Sequence, residues 1–200
     1  MARPKTDPHG VSTKDRILKA AEDAFSADGF NGTRLDDIAK RVGIRSPSLL
    51  YHFESKEKIY EEVIQRVMTD LGMALIGPLS LEGTYEERFT ELVNTYLEFL
   101  RVRPAFPRLL LREIMDGIGP GQAMLYAVAE PLLADIGLFI RQFGAPQSIE
   151  DLPVRQAVLH VAMAACVQHA AAPGIKGLWG FEDQTLDLAK RLFIPNPDEV

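Results

Sequence analysis

Between positions 45 and 52 the chain gathers Arg45, Ser46, Pro47, Ser48, Tyr51 and His52. Together they offer a guanidinium, two hydroxyls, a phenol and an imidazole, the groups that hydrogen-bond to base edges and phosphates. Arg45 is the leading candidate for direct base readout, because one guanidinium contacts guanine O6 and N7 together. Ser46 and Ser48 can donate to phosphate or base, and Tyr51 and His52 suit phosphate contacts. Pro47 fits the first turn of a helix, where a missing N–H costs nothing, and its ring can pack on a thymine methyl.

Such groups read DNA only when a rigid element presents them. Leu35, Ile38, Ala39 and Val42 recur at helical spacing and predict one short helix. Gly43 follows where a helix end favours a left-handed residue. A second helix over 46–53 places Leu49, Leu50 and Phe53 on one side and leaves the polar residues free. Ala39 is small enough to let the two helices cross closely. This is the pattern of a helix-turn-helix unit; the alternative at this point is an ordinary helical hairpin in an all-α core.

The flanks and the composition narrow the choice. Of 200 residues, 46% are hydrophobic, enough for a sizeable core. No uninterrupted apolar run reaches the roughly 18 residues of a membrane span, and the first residues lack the apolar stretch of a secretory signal. A cytoplasmic protein without membrane contact is expected. The single cysteine, Cys166, excludes an internal disulfide and a cysteine zinc site. Net charge is −6, but residues 1–58 carry 11 basic and 9 acidic side chains, a balance of +2, against −8 for the rest. A small nucleic-acid head on an acidic body fits that asymmetry. Arg3, Lys5 and Lys14 near the start are expected to add to the electrostatic attraction or to reach the minor groove.

Periodicity and caps predict helices throughout. Ser12 with Asp15 is a capping-box start for a helix over 13–27, ended by Asp28-Gly29. Phe30 is expected to tuck into the small core. Thr33 with Asp36 reads as a second capping box. Ser55 starts a connecting helix over 56–76, broken by Gly77-Pro78. Thr84 and Glu87 open a helix reaching Arg103, and Pro104 and Pro107 mark a bend before the segment 108–115. A link at 117–121 precedes a helix over 121–143 with a kink expected at Pro131. A loop at 144–152, a helix over 153–171 rich in alanine, a Gly/Pro loop and a helix over 183–193 complete the chain. The expected fold is all-α, with a three-helix helix-turn-helix head over 1–55, a larger helical bundle over 56–200 and about nine helices in all.

At this point a family resemblance is legible. Residues 12–60 resemble the DNA-binding head of TetR-type bacterial transcription regulators. The matching pieces are Asp28-Gly29-Phe30, Thr33, Ile38-Ala39, Val42-Gly43-Ile44, Leu49, His52-Phe53 and Ser55-Lys56-Glu57. The resemblance implies a phosphate clamp at Lys56 and a phosphate-contacting cap at Thr33. It implies an Ω-shaped homodimer, paired through the last two helices, here about 153–171 and 183–193, and reading a palindrome in double-stranded DNA. Two positions depart from the family pattern: Arg45 stands where a small residue is common, and Leu50 where a tyrosine often gives its hydroxyl to a phosphate. Leu50 is therefore expected to pack; the alternative to base readout for Arg45 is that it replaces part of the lost contact, in which case it positions rather than specifies.

The resemblance also implies a small-molecule effector, mostly apolar, in a cavity among the middle helices. Its candidate lining is Phe99, Phe106, Leu110, Met115, Met124, Tyr126, Phe139, His160 and Met163, with Arg112, Glu113, Asp116 and His169 as further polar groups. Core packing is the competing role for each bulky side chain. His160, Cys166 and His169 lack the spacing of metal ligands, so neither a metal nor a cofactor is expected. The expected function is a ligand-released repressor. A DNA-binding protein whose body recruits another protein is the alternative, and a helical enzyme or carrier a more distant one, since no phosphate loop, catalytic triad signature or suggestive carboxylate pair is present.

Overall fold

The Ser12 hydroxyl accepts the Asp15 N–H at 3.1 Å and donates to its carboxylate at 2.7 Å, so the first helix starts where the sequence puts it. The computed structural model describes residues 12–116, 120–144, 152–180 and 182–194. Arg3, Lys5, most of the link at 117–121 and most of the loop at 144–152 lie outside them, as does the side chain of Asp116. The helices are α1 (Thr13–Gly32), α2 (Leu35–Val42), α3 (Ser46–His52), α4 (Lys56–Ser80), α5 (Tyr85–Val102) and α6 (Ala105–Asp116). After them come α7 (Gln122–Phe143), α8 (Val154–Ala170), a 3-10 turn at Pro173–Trp179 and α9 (Thr185–Phe193). Among the described residues all regular structure is helical.

The chain forms two compact units that do not follow a single cut. One takes the chain up to Val67 together with Arg108–Leu125; the other takes Met68–Pro107 and the chain from Tyr126 onward. In the first, Ile17, Ala21, Phe25, Ile38, Leu49 and Ile59 are at most 1% exposed. Phe25, Phe30 and Tyr60 meet edge-on or stacked, with ring centres 4.9–6.1 Å apart, so Phe30 does turn inward. The end of α6 belongs to this core. Arg112 Nη2 donates to the Ala27 carbonyl at 2.9 Å, and the Tyr60 hydroxyl donates to Glu113 Oε2 at 2.5 Å.

In the second unit, α9 packs against α5 and α8. Tyr85, Phe89, Phe139 and Phe193 form a ring cluster, and the Tyr85 hydroxyl donates to the Phe193 carbonyl at 3.0 Å. Thr84 and Glu87 open α5 as expected, and they do so as a full capping box. Tyr96 donates to the Ala162 carbonyl at 2.9 Å and lies 3.0 Å from Cys166 Sγ. Burial pushes the Cys166 thiol up to about 11.

Several local expectations are corrected. Gly77-Pro78 does not break α4, which runs to Ser80. A proline in the final turn forfeits one backbone bond without stopping the turn already under way, and the Ser80 hydroxyl closes back on the Ile76 carbonyl at 3.1 Å. Pro107 is not a bend but sits in the first turn of α6, where its N–H would be unpaired anyway. The Gly/Pro segment after α8 is a 3-10 turn rather than an open loop. The Thr33–Asp36 capping box does not form: α2 starts from Arg34 without a side-chain cap. Finally, α7 is long and apolar enough to cross a membrane by composition, with mean hydropathy 1.7 over an 18-residue stretch of which 17% is buried. Counting uninterrupted runs missed it because Glu130 and Asp135 divide the stretch; Glu130 is paired with Arg155.

Candidate nucleic-acid interface

The turn between α2 and α3 is built from backbone geometry. Gly43 adopts φ 75° and ψ 31°, the left-handed region that costs other residues a β-carbon clash. Its N–H reaches the Lys40 carbonyl at 3.2 Å and the Ile44 N–H reaches the Ala39 carbonyl at 3.0 Å. That bond pair is a Schellman ending, which satisfies carbonyls a helix terminus otherwise leaves open. Arg16 of α1 covers the last one of α2, donating to the Val42 carbonyl at 2.7 Å. Asp36 and Asp37 in the first turn of α2, with Lys40 and Arg41 in the last, also match the helix dipole.

Buried side chains then fix α3 by one edge. Ile38, Ala39 and Val42 hold α2 at 5% exposure or less, while Leu49 at 0% and Phe53 at 3% hold α3. The Ser46 hydroxyl donates to the Asp36 carboxylate, tying the start of α3 to the start of α2. What remains outside is an arc of exposed residues: Arg45, Pro47, Ser48, Leu50, Tyr51 and His52. Tyr51 is 88% exposed, with its ring edge-on to His52 at 5.6 Å.

The predicted site residues divide accordingly. Arg45, Pro47, Ser48, Tyr51 and His52 share the open arc. Ser46 is half-buried, and its hydroxyl proton serves Asp36. Lys56, in the first turn of α4, sets its ammonium over the Phe30 ring at 4.5 Å. Lys14 is ion-paired with Glu62 at 2.6 Å, and its ammonium stands 5.3 Å from the Phe53 ring centre. Thr33 is corrected: it is 2% exposed, and both its N–H and its hydroxyl donate to the Gly29 carbonyl. Gly29, at φ 73°, bends the chain so that Thr33 closes back on α1 instead of presenting a donor. Leu50 is corrected too, because it is 47% exposed and does not pack. Two positioning residues were missed. Arg16 gave no signal, since its partner is 26 positions away; Asp36 lay in plain view but was assigned to the wrong hydroxyl.

The candidate effector residues scatter. Leu110, Met115 and Met124 belong to the first unit and the other six to the second. Phe99, Phe106, Leu110 and Phe139 are buried, with Phe99 and Phe106 edge-on at 5.2 Å. Met124 and Met163 are half-buried. Met115, Tyr126 and His160 are corrected as lining residues. Met115 is 81% exposed, about 200° around α6 from the inward Glu113. Tyr126 is 69% exposed because α7 is buried only in its later half, at Ile136, Phe139 and Ile140. His160 is exposed, with Nδ1 2.7 Å from the Gln156 carbonyl of its own helix. Arg112 and Glu113 serve the first unit's core as described above.

Comparison with known proteins gives a family match over α1 to the start of α4. Residues 17–63 match the profile described as bacterial regulatory proteins, tetR family. The HTH-type transcriptional regulator RutR of Escherichia coli K12 is 30% identical over 194 residues, covering 92% of this chain and 90% of that protein. IcaR of Staphylococcus aureus, a negative transcriptional regulator of a biofilm operon, is 52% identical over 52 residues, 26% of this chain and 28% of that one. A TetR-like regulator from Rhodococcus sp. RHA1 shares the fold with a TM-score of 0.70 at 22% identity, over 90% of this chain and 93% of that one.

Proposed function

We propose, from the premise that this chain belongs to the tetR family of bacterial regulatory proteins and is a DNA-binding transcriptional regulator, that it is a repressor released from a palindromic operator by a small, mostly apolar molecule. The observation carrying the DNA contact is the outer arc of α3, left open by Leu49 and Phe53 beneath it. Arg45 is assigned to base readout, Pro47, Ser48, Tyr51 and His52 to the groove and its phosphates, and Lys56 to a phosphate. Repression is the activity named for IcaR, which is similar to this chain over 52 residues. The place of action is the cytoplasm, where the DNA is.

Two heads must be held one DNA turn, about 34–36 Å, or a multiple of it apart to read such a site. The homodimer is assigned to α8 and α9. Supporting this, Val167 is 41% exposed, Leu188 50% and Leu192 38%, and Ala164 is exposed among the alanines of α8. Small residues there allow two helices to approach closely. An effector acts by binding one head separation more tightly than the other; equal affinity for both would change nothing.

A shift assay with the DNA flanking the chain's own gene tests this. If about six to ten phosphates are contacted, affinity falls by roughly 10³–10⁵ between about 50 and 200 mM salt. Arg45→Ala is expected to relax discrimination between sites, and Lys56→Ala to weaken all sites alike. A monomer indifferent to duplex DNA at low salt overturns the reading.

A further inference from the structure

We propose that Leu50 is a specificity-determining residue that reads the C5-methyl group of a thymine in each operator half-site. The inference rests on the docking of α3 described above and deepens it.

Leu50 follows Leu49, which is fully buried, yet is itself 47% exposed. Successive residues of a helix are set about 100° apart, which carries Leu50 out of the packed edge and onto the open arc. Its nearest companion there is Pro47, one turn earlier and also exposed. Helical side chains lean toward the N-terminus, so the leucine covers the surface around Pro47 and Ser46. In helix-turn-helix docking that is the end of the second helix that meets base edges. The arc therefore presents an apolar ridge, Pro47–Leu50, beside the polar groups of Arg45, Ser48 and Tyr51.

The occupant follows from the chemistry of the groove. Leucine has no donor for a phosphate and none for the acceptors N7, O6 or O4. The apolar group that marks one base from another in the major groove is the thymine methyl. Covering it removes one methyl from water, which corresponds to about a fourfold change in affinity per half-site, or about fifteenfold when both half-sites of a symmetric operator are affected.

The test uses the full chain and the DNA flanking its own gene, narrowed to a binding site by footprinting. Synthetic duplexes carry 2′-deoxyuridine in place of thymidine, one symmetric pair at a time, which deletes the methyl and keeps every hydrogen-bonding group. Anisotropy titration of the unaltered chain should show one pair whose replacement weakens binding about fifteenfold. Leu50→Ala should bind the thymidine and deoxyuridine duplexes at that pair equally, while Leu50→Met keeps the discrimination. A melting curve unchanged by Leu50→Ala excludes misfolding as the cause. The proposal is overturned if no pair shows a methyl effect, or if Leu50→Ala retains the discrimination in full. Footprinted binding that Arg45→Ala and Tyr51→Ala leave untouched would instead refute the docking of α3, and the proposal with it.

Discussion

Tyr60→Phe removes one oxygen from the interior of the first unit and leaves the ring contacts with Phe25 and Phe30 in place. That oxygen donates to Glu113 Oε2 at 2.5 Å, and Glu113 is 2% exposed with Oε1 buried and unpartnered. Without the phenol, a carboxyl group sealed from water loses this donor as well. Leaving a buried acceptor unsatisfied costs about 1–3 kcal/mol, more if it is charged. For a chain of this size each kcal/mol lowers Tm by about 2–4 °C, so a 2 kcal/mol loss appears as about 4–8 °C. Adding Glu113→Met to Tyr60→Phe should restore most of the loss, because replacing both partners of a buried polar pair by apolar groups is close to neutral. Thermal melts of both single variants and the double close a cycle whose coupling term should be about 1–3 kcal/mol. A Tyr60→Phe chain melting within about 1 °C of the parent, or a double variant that loses the sum of the singles, refutes the reasoning.

Further outcomes are expected. Gly43→Ala meets no neighbour within 4 Å, so its cost is the left-handed backbone alone, about 1–2 kcal/mol in melts, with weaker operator binding. Leu49→Ala should lose about 2–5 kcal/mol and DNA binding together, whereas Tyr51→Ala should lower affinity at unchanged Tm. Cys166, fully buried and with its thiol pushed up to about 11 by that burial, should label with iodoacetamide only slowly at pH 8; fast labelling of the native chain at pH 8 contradicts this. The Thr84 backbone N–H and then its side chain hold the Glu87 carboxyl below its ordinary 4.5, so its stabilisation is complete above that pH and lost as pH falls through the depressed value. Glu87→Gln should therefore flatten the acid limb of Tm against pH.

Local signals carried most of the fold. Ser12, Ser55, Thr84 and Gly43 mark helix ends through bonds within three to five positions, and those ends fall where the spacing puts them. What failed was decided at longer range or by orientation. Thr33-x-x-Asp36 has the form of a capping box, but the bend at Gly29 gives Thr33 another acceptor and leaves Asp36 for Ser46. Leu50 was grouped with Leu49 by chemical likeness, although adjacent helical positions point apart. Bonds spanning 85 positions from Arg112 and 53 from Glu113 leave no trace in any local pattern. For the effector, apolar side chains alone could not separate lining from packing, and three of the nine candidates lie on the surface.

The return of Arg112 and Glu113 to α1 and α4 bears on how this chain can be divided. A fragment severed after Val67 keeps every residue of the DNA-facing arc yet forfeits the guanidinium on Ala27 and the carboxyl on Tyr60. Gly121 belongs to the same patch, where a β-carbon would press within 3.1 Å of Ile64, Tyr60 and Glu113. Chimaeras that graft this reader onto the sensor of a relative must therefore transplant two stretches of polypeptide, the second around residues 108–125, and match them to each other.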